Sequence, residues 1–298
     1  MTDGGGVRKG QWYEILSGNR LLDTPERMEH FLLKELRIPP ALYRSWKEDG
    51  GIQKAGDRLR LRLFPVRETS FPPEWMDLDV LYEDDFCLAV NKPSGIKVHP
   101  ADKGEGGTLA NYVAGYFEAT GQQAAVRHIH RLDEYTSGPV LYAKNEFAQY
   151  VLDEAMRDKK IERIYMAVAS GRMKPDSGKL DFPIGRDRHH GRRYRVSAGG
   201  KPAVTLYRVI EQYGEAALLE LQLETGRTHQ VRVHLSHIGH PLWGDILYGG
   251  PSEGLARQAL HGAQLRFPHP FSRRLIAVEA PLPADLQALI RQLKNHKL

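Results

Sequence analysis

The sequence predicts an α+β fold, in which a mixed and mostly antiparallel sheet carries flanking helices and a small module precedes it. Segment 217–223 places apolar residues at alternate positions, which is the period of a strand. Segment 286–293 places leucine and isoleucine at the spacing of an amphipathic helix. Strand-like and helix-like segments follow one another in irregular order with no visible repeat, so regular strand–helix–strand units are disfavoured.

The first 64 residues predict the small α+β module. Apolar residues recur at helical spacing through 28–36, and a second helix is predicted at 42–46. Residues 59–63 alternate between leucine and arginine, which is typical of a strand with one buried face. The prediction for 1–64 is therefore two short helices followed by a strand.

Residues 65–76 predict a linker, because Pro65, Pro72 and Pro73 interrupt a stretch without apolar periodicity. The larger domain is expected to span 77–298. Short apolar runs bounded by polar or turn residues predict its strands at 86–91, 139–144, 161–169, 203–212, 216–224, 259–267 and 275–279. Longer segments with apolar residues at helical spacing predict its helices at 109–119, 146–157, 229–238 and 286–293.

The charge balance of the chain indicates its class of partner. The chain has 298 residues, with 42 Lys and Arg against 37 Asp and Glu, and the two signs are mixed along it. This pattern is typical of a globular protein with basic patches rather than of a basic tail. A polyanionic partner is therefore expected, with a nucleic acid as the first candidate.

The single cysteine, Cys87, lies in the apolar run 86–90 and is expected to pack inside a strand. One cysteine argues against a disulfide framework, a cysteine-based metal site and a secreted context. The sequence has no run of 18 apolar residues and no recognisable signal peptide. A cytoplasmic protein without membrane contact is therefore expected.

Two polar segments hold the most distinctive chemistry. Residues 130–138 read His-Arg-Leu-Asp-Glu-Tyr-Thr-Ser-Gly, and residues 225–232 read Thr-Gly-Arg-Thr-His-Gln-Val-Arg. Asp133 stands just before a turn and the apolar run 139–143, so a loop can aim its carboxylate into a cleft while the strand anchors it. Such a carboxylate can act as a nucleophile. An arginine from elsewhere in the fold would lower its pKa and keep it anionic.

These segments resemble the signature of the RluA-type family of RNA pseudouridine synthases. Further segments agree with the family in order, at 80–85, 90–95, 98–100, 163–167 and 239–249. The resemblance implies an isomerase that detaches uracil from its sugar, rotates it and rejoins it through C5. It also implies structured RNA, ribosomal or transfer, as the partner, and a reaction that needs no metal and no cofactor. A monomer that requires no protein partner is expected.

The resemblance assigns roles to several residues of this chain. Asp133 matches the catalytic carboxylate, although an isolated aspartate there would more often cap the following turn. Tyr165 matches the tyrosine that stacks on the target uracil, and Arg232 matches the arginine that pairs with the carboxylate. Arg232 lies away from the apolar stripe of its predicted helix and can face the cleft. Leu260 and His261 resemble the apolar contact beneath the uracil.

Cations near these segments are expected to hold RNA phosphates. Arg131 precedes the catalytic carboxylate, and the target nucleotide must leave its stack to reach that carboxylate. Segment 185–195 combines cations, one tyrosine and two glycines, as a loop that follows an RNA backbone would. A solvated run of charges is the alternative for this segment. The expected substrate-binding cations are Lys92, Arg131, Arg192, Arg193 and Arg227.

The first 64 residues resemble a shortened S4-type RNA-binding domain. Lys34, Arg37, Arg44 and Lys47 would supply its phosphate-binding charge. Its hairpin between residues 51 and 58 reads as clipped, so a structural appendage is an equal alternative to an RNA-binding module.

Two other functional classes compete with the synthase. A metallohydrolase would use His128, His130 and Asp133, or the histidines of segment 229–240. Histidines five residues apart lie on different faces of a helix, which is wrong for a single metal. A non-catalytic RNA-binding protein with the same fold is the other alternative, and the presence of Asp133, Tyr165 and Arg232 argues against it.

Overall fold

The computed structural model describes residues 6–16, 24–67, 71–102 and 104–295. Parts of the predicted N-terminal module (1–5 and 17–23) and of the predicted linker (68–70) therefore lie outside the described residues. Across the described ranges, no helix is both long enough and apolar enough to cross a bilayer.

Within its described residues, the N-terminal part folds as a four-stranded antiparallel sheet with two helices. In spatial order the strands are β1 (Val7–Lys9), β2 (Trp12–Leu16), β4 (Arg58–Leu61) and β3 (Ile52–Ala55). The helices are α1 (Pro25–His30), which continues through a π-helical turn at Phe31–Glu35, and α2 (Pro40–Asp49). The hairpin that the sequence indicated as clipped is therefore present, with short strands. The likeness of this module to an S4-type domain stays a prediction.

The N-terminal sheet packs directly on the larger part of the chain. Tyr13 of β2 lies edge-on to Phe86 and Phe271, with ring centroids 5.3 and 4.6 Å apart. Phe64 joins the same cluster, and Arg8 pairs with Asp85 at 2.9 Å. Because the two parts share one apolar core, the module is fixed against its neighbour.

The larger part contains two main antiparallel sheets. In spatial order the four-stranded sheet contains β5 (Val80–Glu83), β6 (Cys87–Lys92), β8 (Gly138–Ala143) and β7 (Arg127–His128). The six-stranded sheet contains β10 (Ser177–Asp181), β13 (Val204–Gln212), β14 (Ala216–Leu223), β9 (Glu162–Ser170), β15 (Leu260–Pro268) and β16 (Leu275–Glu279). A parallel bridge between Ser137 and His261 joins the two sheets. The mostly antiparallel sheets with flanking helices confirm the predicted α+β architecture.

Four helices flank these sheets close to their predicted bounds. They are α3 (Leu109–Ala119), α4 (Glu146–Arg157), α5 (Gln230–His237) and α6 (Ala284–Asn295). The Asn145 side chain caps α4 by accepting a hydrogen bond from the Ala148 amide at 2.8 Å. The helices were predictable because each has a buried apolar face and, for α3 and α4, a polar residue at its start.

All seven strands predicted for the larger part are present, with ends shifted by at most a residue or two. The strands that the sequence did not indicate are short and lie mostly at sheet edges. In β10, for example, only Leu180 is buried, so no apolar alternation marks the strand. Segment 185–195, predicted as a loop, is instead a hairpin of β11 (Ile184–Arg186) and β12 (Tyr194–Val196).

The two sheets meet at Gly138. Its φ is +126°, and a Cβ added there would lie 2.5 Å from the carbonyl oxygen of Gly262. The Gly262 amide donates to the Ser137 carbonyl at 2.8 Å, so a hydrogen bond between the two backbones holds them together at this joint between the sheets. Only glycine fits this position without displacing one of the two backbones.

Gly138→Ala is therefore expected to lower the free energy of unfolding by about 2–5 kcal/mol, since it adds backbone strain to a backbone clash. Urea unfolding measures the change. Gly214→Ala is the matched control, because Gly214 does not have a left-handed φ and, apart from its two chain neighbours, no described residue has a heavy atom within 4 Å of the added Cβ. Equal stabilities of the two variants would show that the joint tolerates a side chain.

Candidate active site

Asp133 lies in the loop between β7 and β8, and the backbone of this loop is held on several sides. The Asp133 carbonyl accepts from the Thr136 amide at 3.0 Å, which closes a turn. The next carbonyl, of Glu134, accepts from the Gly95 amide and from the Lys92 Nζ, each at 2.9 Å. These contacts fix the start of the loop while leaving the Asp133 side chain at the cleft.

Lys92 is an internal anchor of this loop and not a phosphate ligand. Its side chain is fully buried, and its Nζ donates to the carbonyls of Pro93, Ile96 and Glu134 at 2.8–2.9 Å. Burial lowers the pKa of Lys92 to about 7, and the charge of Asp133 acts in the opposite direction. The sequence prediction was wrong because a lysine in a Lys-Pro-Ser-Gly segment gives no sign of the direction of its side chain.

Lys92→Met is expected to slow catalysis by loosening the loop, because three carbonyls lose their common donor. A lost phosphate contact would instead reduce the dependence of RNA affinity on salt. Rates and affinities measured across a salt series separate these two cases. Arg192→Met, which removes an exposed cation, is the comparison variant that is expected to change the salt dependence. A change in salt dependence for Lys92→Met would overturn the anchoring role.

Arg232 connects Asp133 to a second carboxylate. Its Nη1 lies 3.6 Å from Asp133 Oδ2, while its Nε and Nη2 donate to Asp245 at 2.7 and 2.9 Å. Burial acts to lower the pKa of Arg232, but the hydrogen bonds and charge of Asp245 raise it. The guanidinium is therefore fixed as a cation, with one nitrogen facing Asp133.

His229 and Tyr248 complete this cluster, and the sequence did not predict their contacts. His229 has a left-handed backbone, with φ of +56°, just before α5. Its Nδ1 lies 2.9 Å from the Tyr248 hydroxyl and its Nε2 4.0 Å from Asp133 Oδ2. The Tyr248 ring also lies under the Arg232 guanidinium, 5.0 Å away. Burial lowers the pKa of His229, which favours a neutral imidazole beside Asp133 at neutral pH.

Tyr165 and Leu260 form an apolar wall next to Asp133. Tyr165 on β9 pairs with Gly262 on β15, and Leu260 lies two residues before Gly262, on the same face of the sheet. The side-chain position of Gly262 faces the neighbouring sheet, since a Cβ added there would lie 3.1 Å from Pro139 Cδ. Burial raises the pKa of the Tyr165 hydroxyl, which stays neutral at ordinary pH.

His261 does not lie on this wall. It is fully buried and faces away, with its Nδ1 2.9 Å from Ser137 Oγ and its Nε2 3.2 Å from the Ala280 carbonyl. The prediction of a contact with the uracil was wrong for His261, because successive strand residues point to opposite faces and Leu260 occupies the cleft side.

The cleft has a volume of about 570 Å³, which is suited to a nucleoside-sized ligand. Asp133, Tyr165, Arg232 and Leu260 all line it, although the sequence separates them by many residues. Of the predicted substrate-binding cations, Arg131 and Arg227 line the same cleft.

The other two predicted cations belong to the hairpin β11–β12. Arg192 is exposed and lines an adjoining cleft. Arg193 is half-buried, with its guanidinium 5.3 Å from the centroid of the Tyr248 ring, and its Nε has no partner among the described residues. Of these two arginines, Arg192 therefore lines a cleft, whereas Arg193 packs the hairpin against Tyr248.

The histidines do not assemble a metal site within the described ranges, where no group of three His, Cys, Asp or Glu side chains is placed to hold an ion. His99 and His128 stack on each other, with ring centroids 4.7 Å apart. His234 instead contacts Thr205 and the Phe182 carbonyl. The imidazoles at ligand-like spacing thus have separate structural roles.

His130 gives the fold a defined acid sensitivity. It is buried below the loop, its Nε2 accepts from the Leu141 amide at 3.3 Å, and burial lowers its pKa to about 3. Below pH 6.5 the unfolded chain binds more protons at this residue than the folded chain. The stability that the neutral imidazole confers is therefore lost progressively as the pH falls from about 6.5 toward 3.

His130→Gln keeps a hydrogen-bond acceptor but does not titrate. The free energy of unfolding is measured in urea at pH 6.5 and 4.5. Its decrease on acidification is expected to be smaller in the variant than in wild type, by up to about 1.4 kcal/mol per pH unit. His189→Gln, in the exposed tip of the hairpin, is the control. An unchanged slope in His130→Gln would exclude His130 as the source of the acid sensitivity.

Comparisons with known proteins agree with this geometry. Residues 86–237 match the family model described as RNA pseudouridylate synthase. The chain is 47% identical over 242 residues to the Bacillus subtilis protein named uncharacterized RNA pseudouridine synthase YhcT, covering 80% of each chain. It is 41% identical over 253 residues to ribosomal large subunit pseudouridine synthase D of Neisseria meningitidis, covering 80% of this chain and 67% of that protein.

Solved structures give the same result at the level of the fold. Human RNA pseudouridylate synthase domain containing 1 superposes with a TM-score of 0.60 at 26% identity, over 75% of this chain and 97% of that one. Human RNA pseudouridylate synthase domain containing 4 gives 0.61 at 26% identity, over 72% and 92%. The sequence match spans the loop of Asp133, strand β9 and helix α5. The chain therefore belongs to the RNA pseudouridylate synthase family, in its RluA-type branch.

Proposed function

We propose that this enzyme isomerises specific uridines of structured RNA, ribosomal or transfer, and that Asp133 is its catalytic carboxylate. The observation that carries the proposal is the position of Asp133. Its side chain lines a nucleoside-sized cleft, 3.6 Å from a buried arginine and beside an aromatic and an aliphatic wall. Relatives named for the ribosomal large subunit favour ribosomal RNA as the first substrate to test.

The reaction breaks the N1–C1′ bond of uridine, rotates the uracil and joins C5 to the same C1′. C5 loses its proton and N1 gains one, so the balance requires no redox partner and no external group. Asp133 can attack the sugar or remove a proton from C2′ as the base leaves, and its charge stabilises positive charge on the sugar. A cofactor, a metal and a protein partner are not needed for either route.

The other cleft residues hold the reacting groups. Tyr165 and Leu260 offer a flat apolar surface for the detached uracil, which must turn without escaping. Arg232 fixes the orientation of the Asp133 carboxylate because its other two nitrogens are held by Asp245. Arg131 and Arg227, at the cleft wall, supply positive charge for the phosphates that flank a flipped nucleotide.

Total RNA from cells that lack this chain provides the test. The purified protein is incubated with it beside Asp133→Asn and the control Asp181→Asn, in which an exposed carboxylate on β10 is changed. Pseudouridines are then mapped by chemical modification and primer extension. Discrete stops with wild type and Asp181→Asn, absent with Asp133→Asn, are expected and name the substrate. An absence of stops with the wild type on any RNA would contradict the proposal.

A further inference from the structure

A second cleft also borders Asp133. Its volume is about 650 Å³. It shares with the first cleft the residues that surround the carboxylate: Arg131, Leu132, Asp133, His229 and Arg232. Its remaining walls come from segment 97–101, residues 134–135, Arg192 of the hairpin β11–β12, and segments 244–247 and 256–258. The two clefts therefore adjoin each other at Asp133.

Two large apolar side chains stand exposed on the wall of this second cleft. Tyr135 is 50% exposed and Ile246 is 72% exposed. Their backbones are nevertheless fixed. The Tyr135 carbonyl accepts from Ser94 Oγ at 3.0 Å and from Arg257 Nη1 at 3.3 Å, and Ile246 begins a 3-10 turn. Large apolar side chains with fixed backbones on a cleft wall offer a surface on which a base can pack.

The charges around these side chains favour a polyanion. Arg131 and Arg192 line the second cleft, both are exposed, and neither forms an ion pair within the described ranges. Lys97 also lines it and pairs with Glu105. Asp133 and Asp245, on the same wall, share Arg232, and Glu134 is a further carboxylate that opposes these cations. An aromatic face beside unpaired guanidinium groups is the combination that binds single-stranded nucleic acid.

We infer that the second cleft binds the nucleotide next to the target uridine, with its base stacked on Tyr135 beside Ile246 and its phosphate near Arg131 and Arg192. This assignment rests on the function proposed above, because a target uridine in the first cleft brings a covalently linked neighbour over Asp133. The stack holds the strand in its flipped conformation at a point close to the reacting sugar.

The assignment is tested with an RNA stem-loop in which a nucleotide next to the target uridine lacks its base. The probe is a stem-loop transcribed around a uridine that the wild type modifies in total RNA, together with two versions that are abasic on either side of that uridine. Tyr135→Ala is expected to bind the intact probe about 10-fold more weakly than wild type, the loss of one stacked base. With the probe that is abasic at the stacked neighbour, wild type and Tyr135→Ala should bind equally.

Matched variants make the result specific. Tyr135→Phe and Tyr135→Trp keep an aromatic face and should retain the affinity of wild type. Tyr150→Ala, which removes a similarly exposed tyrosine from α4, should also bind as wild type does. Thermal melting of each variant checks that it is folded.

The outcomes distinguish a failure of base stacking on Tyr135 from a failure of the proposed function. If wild type modifies uridines but Tyr135→Ala binds the intact probe normally, the second cleft does not stack a neighbouring base. The same conclusion follows if the affinity loss persists with both abasic probes. If wild type modifies no uridine in any RNA, the function proposed above fails and this assignment fails with it.

Discussion

The Asp133→Asn variant is expected to isomerise uridine at least about 1,000-fold more slowly than wild type while binding RNA with similar affinity. Asparagine has nearly the shape of aspartate but supplies no anionic oxygen to the sugar. The fold should persist, because Arg232 keeps both of its bonds to Asp245 when Asp133 is changed. Single-turnover rates on a substrate found in total RNA, and dissociation constants on the same RNA, measure the two quantities separately.

Asp181→Asn serves as the control for loss of a carboxylate, since Asp181 is an exposed residue paired with Lys179 on β10. Its rate and affinity should match wild type. An Asp133→Asn variant that turns over within about 10-fold of wild type would exclude Asp133 as the essential group, because loss of a single aimed polar group costs about 100-fold or more.

The Arg232→Met variant is expected to lose about 3–5 kcal/mol of stability, in addition to most of its activity. Arg232 is 8% exposed and Asp245 only 2%, so the substitution leaves a buried carboxylate without its partner. The Asp133 carboxylate also loses the group that orients it. Urea unfolding gives the stability change, and single-turnover kinetics give the rate.

A double substitution separates the structural effect from the chemical one. Arg232→Met with Asp245→Leu removes both buried charges and should recover most of the lost stability. The rate should stay low, because Asp133 still lacks its guanidinium. Arg208→Met, which breaks an exposed pair with Glu220, should cost at most about 1 kcal/mol. Recovery of activity in the double variant would show that Arg232 acts through folding alone.

The sequence was informative where local pattern decides structure. Helices such as α4 and strands such as β14 each have a periodic apolar face, so their type and approximate ends could be predicted. Edge strands such as β10 were missed because a strand with one buried residue has no such pattern. The docking of the N-terminal sheet could not be predicted either, since it depends on aromatic contacts between residues far apart in sequence.

The residues of the site also divide into those that a local segment indicates and those that only the fold brings together. Asp133 and Arg232 could be chosen from two short segments because those segments resemble the signature of the RluA-type family. The roles of Asp245 and Tyr248 depend on distances that only the fold sets, although both lie in segment 239–249, which matched the family. Lys92 shows the converse case, because its residue type indicated a phosphate ligand and its complete burial made it an anchor.

The most direct test of the catalytic assignment is the release of tritium from RNA labelled at C5 of uridine. Joining C5 to the sugar expels the C5 hydrogen, so each isomerised uridine should release one tritium into water. Wild type and Asp181→Asn are expected to release tritium from labelled total RNA of cells that lack this chain, in proportion to the pseudouridine formed. Asp133→Asn should release none above background, and release at the wild-type rate by that variant would contradict the assignment of Asp133.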